Sequence, residues 1–407
     1  MTLPRRRRTV VLPVGVDVGA DGLRLVQLRV SPAAGPSPHQ PQLTVAARYA
    51  APLPTHAAHA DSATSSRATA AAAGIRDALR RGGFVGREVV TALPPGLVHI
   101  RTFRLPTATT GDRDAVLRRQ ARQGTPFGET EPLHTDSVAV GEARQGRDVR
   151  DEFLSVAARD ADVRDFLEAA GPGVTVRSLQ AQPYALYRAV AGAAVCPDPA
   201  ATHAAVHVGE FETFILIGVG PRLRVVRRVD VGAHHLDRAV AVKLSVTPAE
   251  ARRIRRRGPD ATDPSAGGSA PASGNDPVRL AIHGATRQLM EEVARETAVC
   301  VRYHVVSFRG PLPRCVRLRG CDASDPVLRA LLSESTGLPV DSGGGFDAVA
   351  GWAGSNDDGG WTAAFGLALA FAPALPASTA DRVPVDTPAH ETVTASAAAA
   401  VGEAACA

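Results

Sequence analysis

Apolar residues along this chain come in short blocks, and Gly, Pro or an acidic turn closes each block. The first two blocks read "VGVDVGADGLRLVQLRV" from Val14 to Val30, two apolar strands around a short acidic, Gly-rich turn. Short apolar runs bounded by turn residues predict strands. The same pattern predicts strands at Leu43–Ala50, a strand pair within Glu88–Pro106, and strands at Glu152–Arg159 and Val174–Gln180. A Pro-rich loop spans residues 31–43. The intervening stretches suit helices: residues 66–82, ended by Gly82 and Gly83; Asp112–Gly124; "DADVRDFLEAAG", stopped by Gly171; and Pro183–Ala194.

The scheme then restarts. Residues 203–232 read as strand, acidic turn, strand, Gly-Pro turn, strand, which is a β-meander signal. The pair His234–His235 stands at a helix start, where capping or solvent exposure is expected rather than a metal. A further helix carries its own start signal, with Thr247 as cap, Pro248 at the first position and Glu250 in the first turn. Residues 258–277 have almost no apolar content and read as a disordered insertion. A long helix at Val278–Tyr303, a strand at Arg314–Cys321 and helices at Asp325–Gly337 and Trp361–Phe371 complete the pattern. The Pro/Ala/Thr-rich stretch after Ala372 reads as a disordered tail. The fold class is therefore α/β in two related halves, each opening on a hairpin with an acidic, Gly-containing turn.

Composition narrows the function. Aromatics make up 4% of the 407 residues, so the cores must be built from Val, Leu, Ala and Ile. So few aromatics also argue against single-stranded nucleic-acid binding, which stacks bases on rings. The net charge of +5 is spread among acids, and Lys243 is the only lysine. Among the five cysteines no two form a CxxC pair, which predicts a reduced, intracellular protein. The run Arg5–Arg8 precedes too short an apolar stretch for a signal peptide. "FGLALAFAPALPA", from Phe365, falls short of the roughly 20 residues a membrane helix needs. Ser155 and Ser178 lack the GxSxG setting of a nucleophile elbow. "ARRIRRRG", Ala251–Gly258, is expected to be a solvated helix end that complements the helix dipole.

The two hairpin turns carry the candidate chemistry. Tight turns with Gly let backbone N–H groups approach phosphate oxygens. Two such loops, "DVGADG" (Asp17–Gly22) and "HVGEFET" (His207–Thr213), facing across a cleft would grip a polyphosphate from both sides. A third loop at a helix start, "RGCDAS" (Arg319–Ser324), would hold the nucleoside end. Asp17 is placed to hold Mg²⁺ through its bound water.

In order and spacing, these motifs resemble the actin, hexokinase and sugar-kinase superfamily. Within it the chain resembles the PilM family of type IV pilus assembly proteins, related to the cell-division protein FtsA. The resemblance runs from about Val14 to Ala370. It rests on "VGVDVGADGLRLVQL", "VVTALPPGLVHIRTFRLP", "AVLRRQARQGTPF", "FLSVAARDADVRDFLEAAG", "AAVHVGEFETFILI", "AEARRIRR" and "VRLRGCDASDPVLRALLSESTGLPV". It implies a two-lobed actin-like, ribonuclease H-like fold with an inserted subdomain. Residues 10–85 and 166–200 would form subdomain 1A, 86–165 the inserted 1C, 201–235 and 311–372 subdomain 2A, and 236–310 subdomain 2B. The tail would cover 373–407.

The resemblance also implies ATP and Mg²⁺ as cofactors. Asp17, Gly19, Ala20, Asp21, Gly22, Arg24, Gly209, Glu210, Thr213, Gly232, Glu250, Arg253, Gly320 and Cys321 would contact the nucleotide. It implies a scaffold at the cytoplasmic face of the inner membrane that captures the N-terminal tail of a PilN-like membrane protein, with other pilus inner-membrane components nearby and self-association. The tail would lie in a groove lined by Val89, Leu93, Leu105 and Phe127. Nucleotide would then bias lobe closure. The alternative is an ATPase or small-molecule kinase of the same superfamily. The sequence departs from the family pattern at Ala20 and Arg24, where Ser and Lys are usual, at His207 in place of Asp, and at Cys321 in place of Gly. Neutral His is a poor ligand for hard Mg²⁺. With these departures the chain is expected to be at most a weak ATPase.

Overall fold

The computed structural model describes residues 9–19, 22–31, 42–52, 64–107, 112–145, 148–191, 196, 198–256, 277–343, 346, 349–352 and 358–373. The predicted insertion, apart from Pro277, and the predicted tail from residue 374 onward lie outside them, as do Arg5–Arg8.

The apolar blocks become strands in the predicted order. The first hairpin is β1 (Val10–Val11), β2 (Val14–Val18), β3 (Gly22–Ser31) and β4 (Gln42–Pro52). Helices α1 (Thr64–Ala73) and α2 (Ile75–Arg81) lead to β5 (Glu88–Leu93). Next come β6 (Val98–Pro106), α3 (Arg113–Arg122), β7 (Leu133–Gln145), β8 (Asp148–Arg159) and α4 (Asp160–Ala170). Strand β9 (Thr175–Ala181) and α5 (Gln182–Ala191) close the first half. The second half holds β10 (Thr202–Val208), β11 (Thr213–Val219), β12 (Arg222–Val229), α6 (Ala233–Leu244), α7 (Pro248–Arg256) and α8 (Pro277–Ser307). It ends with β13 (Val316–Gly320), α9 (Pro326–Thr336), β14 (Val340–Asp341) and α10 (Thr362–Ala368).

The two halves repeat one sheet. Its strands run β4-β3-β2-β5-β9 in the first half and β12-β11-β10-β13-β14 in the second. In each, an antiparallel three-stranded meander is followed by two parallel strands reached through helices. This order places the β2–β3 turn and the β10–β11 turn at equivalent positions. A third, antiparallel sheet, β6-β8-β7, is inserted between β5 and β9.

Apolar packing follows this plan. In the first lobe Val16, Leu25 and Val89 bury against Ile75, Leu79 and Phe166. In the second, Val206, Ile215 and Leu318 bury against Met290 and Val293 of α8 and Leu328 and Leu332 of α9. A further core joins Val140 and Leu154 of the inserted sheet to Leu186 and Tyr187 of α5 and to Phe214 and Leu216 of β11. Among the described residues no helix is long and apolar enough to cross a membrane.

Three expectations meet differences. The single helix expected over 66–82 is two helices, because the Gly74 N–H turns back to the Ala71 carbonyl at 3.0 Å where the chain passes Leu23. Strand β7 has no counterpart in the sequence reading. The strand pair within Glu88–Pro106 divides between sheets. Strand β5, buried on both faces, pairs with β2 and β9, and the inserted sheet starts at Val98.

Candidate functional site

The β2–β3 and β10–β11 turns face one another across a cleft of about 400 Å³. Asp17, Gly19, Arg24, Arg67 and Gln182 line it from the first lobe, and His207, Gly209, Glu210, Phe211, Glu212, Arg228, Gly320 and Cys321 from the second. The predicted loops are thus brought together. Ala20 and Asp21 lie outside the described residues.

Both turns are tight hairpins closed by glycine. The Gly19 N–H donates to the Gly22 carbonyl at 2.9 Å and the Gly209 N–H to the Glu212 carbonyl at 2.8 Å. In the first lobe Asp17 stands opposite Arg24 in the β2–β3 register. Asp17 is buried and accepts from Gln182 Nε2 at 3.3 Å. Gly360 lies against the Arg24 guanidinium, where a Cβ would stand 3.0 Å from Nε.

In the second lobe the predicted histidine stands on β10. Burial and then the Arg24 charge push His207 down to about 4, so it is neutral at pH 7. Its Nδ1 is buried without a hydrogen-bond partner. The turn beside it carries two carboxylates. Burial pushes Glu212 above the usual carboxylate range, opposed by Arg228, whose Nε lies 3.3 Å from the Glu212 carboxylate. Phe211 sits at the tip of the turn, its ring 5.2 Å from that of His234. Arg67, on α1 of the opposite lobe, places its guanidinium carbon 5.7 Å from the Phe211 centroid, a cation–π contact across the cleft.

A buried ionic network joins α6 and α7 to the β10–β11 turn and to the loop after β13; of its members only Glu210 lines the cleft. Arg255 on α7 bridges Asp237 on α6 at 2.8 Å and Asp322, after β13, at 2.6 Å. The three side chains are 3%, 1% and 6% exposed, respectively. Arg252 pairs with the second Asp237 oxygen at 2.7 Å and with Glu210 of the phosphate-type turn. Burial works against the Arg255 charge, but Asp322 and Asp237 outweigh it and hold the guanidinium above its usual range. This corrects the reading of "ARRIRRRG" as a solvated helix end. Positions 252 and 255 lie one helical turn apart and face inward, while Arg253 faces solvent.

The comparisons agree with this architecture. No protein-family model and no curated protein matches the chain. Among solved structures, a PilM–PilN type IV pilus biogenesis complex aligns with a TM-score of 0.64 at 19% identity, over 88% of this chain and 97% of that one. The chain has the two-lobed, actin-like fold of PilM. Looser matches include the ethanolamine utilization protein EutJ from Carboxydothermus hydrogenoformans, with a TM-score of 0.44 at 16% identity over 91% and 92% of the two chains. An archaeal actin homolog in complex with ADP matches with 0.41 at 11% identity, over 88% and 97%.

Within this PilM-like fold, the second phosphate-type loop offers magnesium a neutral imidazole, His207, where a hard oxygen ligand would suit it better. At each second-lobe glycine predicted to cradle phosphate the chain's own backbone leaves no room for a Cβ, so these tight turns require glycine. A Cβ at Gly209 would meet the Glu212 carbonyl at 2.7 Å, one at Gly232 the Glu210 carbonyl at 2.6 Å, and one at Gly320 would overlap the Val208 carbonyl. Among the described lining residues three arginines, Arg24, Arg67 and Arg228, stand with three carboxylates, Asp17, Glu210 and Glu212. Among the described residues no group of three or more His, Cys, Asp or Glu could hold a metal.

Other predicted contacts are used elsewhere. Thr213 is fully buried and donates to the Val231 carbonyl at 2.6 Å. Gly22 is packed against Ala51. Glu250 forms a capping box with Thr247: its carboxylate accepts from the Thr247 N–H at 2.9 Å, and its own N–H donates to Thr247 Oγ1 at 3.2 Å. The groove residues are corrected as well. Val89 and Leu93 are buried in the first-lobe core, and Leu105 packs with Phe103 and Phe153. Side chains this buried cannot meet a docking peptide. Phe127 alone of the four is half-buried, its ring edge-on to His99 at 6.5 Å.

Sequence reasoning missed Arg67 as a lining residue and missed Arg252, Arg255 and Asp237 as the network behind the β10–β11 turn, while Phe211 and Asp322 lie in loops it named. The alternation of inward positions 252 and 255 on a capped helix was the available signal for two of them.

Proposed function

We propose that this protein is an actin-like scaffold of type IV pilus assembly that captures the cytoplasmic N-terminal tail of a PilN-like inner-membrane protein. The observation that carries the reading is the PilM-like fold over 88% of this chain, with a three-stranded sheet inserted between two strands of the first lobe. In this reading the first-lobe sheet is the core of subdomain 1A, the inserted sheet is that of 1C, the repeated sheet is that of 2A, and α6–α8 form 2B. An extended tail lies along the junction of 1A and 1C. The affinity comes from main-chain bonds and from side-chain contacts, among them one to the half-buried Phe127, whose ring lies edge-on to His99. The partner holds the scaffold at the inner face of the inner membrane.

The test is fluorescence anisotropy with a labelled peptide, the cytoplasmic N-terminal tail of the membrane protein encoded next to this chain. Saturable binding in the micromolar range is expected, weakened about tenfold or more by Phe127→Ala. Absence of binding up to 200 µM, or the lack of any such neighbouring membrane protein, would sink the reading.

A further inference from the structure

Strands β2, β5 and β9 run parallel, so their starts share one end of the first-lobe sheet and their ends share the other. The ends open on the cleft, through Asp17 and Val18 of β2, Pro94 and Pro95 after β5 and Gln182 after β9. The starts form a face at the opposite end of the lobe. We propose that this face docks directly on an anionic lipid bilayer. The proposal goes beyond the partner reading and does not depend on it.

The face presents apolar side chains that the fold holds outward. The loop between α2 and β5 reads "GGFVGR", Gly82–Arg87. Gly83 and Gly86 take φ of +70° and +81°, which turns the chain on either side of Phe84 and Val85. Phe84 packs inward on the first-lobe core. Val85 stays 61% exposed, and its backbone is fixed from behind by the buried Gln27. Gln27 Oε1 accepts from the Val85 N–H at 2.9 Å, and Gln27 Nε2 donates to the Val85 carbonyl at 2.8 Å. Nε2 also donates to the Leu12 carbonyl at 3.1 Å. That bond ties the loop to the segment joining β1 and β2, and Val10, on β1, is 54% exposed. On the other side of β5, Phe371 is 41% exposed, with the Arg177 guanidinium of β9 5.1 Å from its ring centroid. Apolar side chains held out at one end of a lobe mark an interaction surface.

The charges around them select the partner. Arg29 near the end of β3, Arg81 at the end of α2 and Arg87 before β5 are exposed, and none forms an ion pair with a described carboxylate. Asp77 and Glu88 are already engaged, with Arg80 at 2.6 Å and with Arg177 at 3.1 Å. Glu168, in the last turn of α4, is one carboxylate against those three arginines. Arg5–Arg8 stand immediately before Thr9 and Val10 in the sequence and add four positive charges to the same end. Each arginine near an anionic bilayer strengthens attachment roughly fivefold, and apolar contacts such as Val85 add a term that salt does not screen. A bilayer on this face leaves the cleft, at the other end of the sheet, open.

The test is co-sedimentation of the full-length chain, without any partner, with vesicles of phosphatidylcholine alone or with about a third phosphatidylglycerol. Association with the anionic vesicles at low salt is expected to exceed that with neutral ones at least tenfold, and to fall at least tenfold in about 0.5 M salt. The double variant Arg81→Glu, Arg87→Glu should weaken it at least tenfold and Val85→Asp about fivefold. Both alter exposed side chains, and an unchanged circular dichroism spectrum shows that they fold. A readout without variants is labelling by phenylglyoxal, mapped by peptide. Anionic vesicles should slow the labelling of Arg81 and Arg87 at least threefold and leave that of Arg253, exposed on the second lobe, unchanged. No association with anionic vesicles at low salt would overturn the proposal. So would association that leaves the labelling of Arg81 and Arg87 unchanged, because another basic segment would then carry it. A chain that binds the partner tail but not vesicles refutes this proposal and leaves the scaffold reading intact. A chain that binds vesicles but not the tail does the reverse.

Discussion

At the scale of single residues, three histidines tie stability to pH. His203 accepts from Arg317 at Nδ1 at 2.8 Å and sits 3.3 Å from the Cys196 sulfur through Nε2. Burial first, then the charge of Arg317, pushes His203 down to about 4. Burial with Arg24 does the same for His207, and burial with Arg224 for His304, each to about 4. A folded-state value below the unfolded 6.5 means that the unfolded chain takes up protons first as pH falls. The stability these residues contribute is therefore complete above about 6.5 and is lost progressively toward 4. Each histidine should cost roughly 1 kcal/mol between pH 6.5 and 5.5. Urea midpoints at pH 7, 6 and 5.5 should fall accordingly, and His203→Gln should flatten the decline by about a third. A midpoint independent of pH in that range would contradict the assignment. The buried ionic network around Asp237 gives a second residue-scale contrast. Asp237→Ala takes one carboxylate from each of two guanidinium groups, leaving Arg255 only Asp322 and Arg252 only Glu210, and should cost about 3 kcal/mol in urea unfolding, whereas solvent-facing Arg253→Ala should stay within about 0.5 kcal/mol. Position, not residue type, separates these arginines, which is why the site was only half legible. The glycine turns, Asp17 and His207 could be read from local spacing. The meeting of Arg67 with Phe211 depends on two lobes coming together, and nothing local encodes it.

At the scale of elements, α10 shows how glycine sets the spacing of layers. It packs between β2 and α5 with no side chain at either crossing. A Cβ at Gly15 would stand 2.9 Å from the Ala368 Cα, and one at Gly366 would overlap the Ala185 carbonyl. Gly366→Ala should therefore cost about 3 kcal/mol or more, as overpacking of a rigid core does. Gly284, on the exposed face of α8 with nothing within 4 Å of its would-be Cβ, is the opposite case, and Gly284→Ala should gain about 0.5–1 kcal/mol. Chemical denaturation of the two variants separates them by sign. Most elements were legible because each apolar block is closed by Gly, Pro or a cap: Asp325 caps α9 at Val327 and Leu328, and Gly337 ends that helix in the left-handed conformation. Strand β7 was not legible. "LHTDSVAVGEARQ" has little apolar alternation, and Val140 and Ala143 are the residues it buries. It is a strand because β8 pairs with it along its full length, from Leu133↔Arg159 to Gln145↔Asp148. Tertiary pairing decides such a segment, and a single sequence does not display it.

At the scale of the whole molecule, the inserted sheet is built into both lobes. Val140 and Leu154 share a core with α5 of the first lobe and with Phe214, Leu216 and Leu223 of the second. Beside that core, Glu152, 1% exposed, accepts from Arg104 at 2.9 Å on its own sheet and from Tyr303 of α8 at 2.6 Å. Arg104 also donates to the Tyr303 hydroxyl at 2.6 Å, so the three groups close a buried polar link from the insert to the second lobe. An insert joined to both lobes in this way should make the chain unfold as one unit. Two natural reporters allow the test. Trp352 and Trp361, edge-on at 6.1 Å and the only tryptophans, report on the first lobe by fluorescence. Cys300, buried in the second-lobe core, reports there by its reaction with a thiol reagent once exposed, read at that residue by peptide mapping because the half-buried Cys196, Cys315 and Cys321 react as well. The two urea midpoints should coincide in the unaltered chain. Tyr303→Phe removes the hydroxyl from the buried link and should lower stability by about 1–3 kcal/mol. Because the link serves both lobes, the variant should shift the tryptophan and cysteine midpoints together and by the same amount. Separate midpoints in the unaltered chain, or a Tyr303→Phe shift confined to Cys300, would mean that the insert is carried by one lobe and does not unite the two.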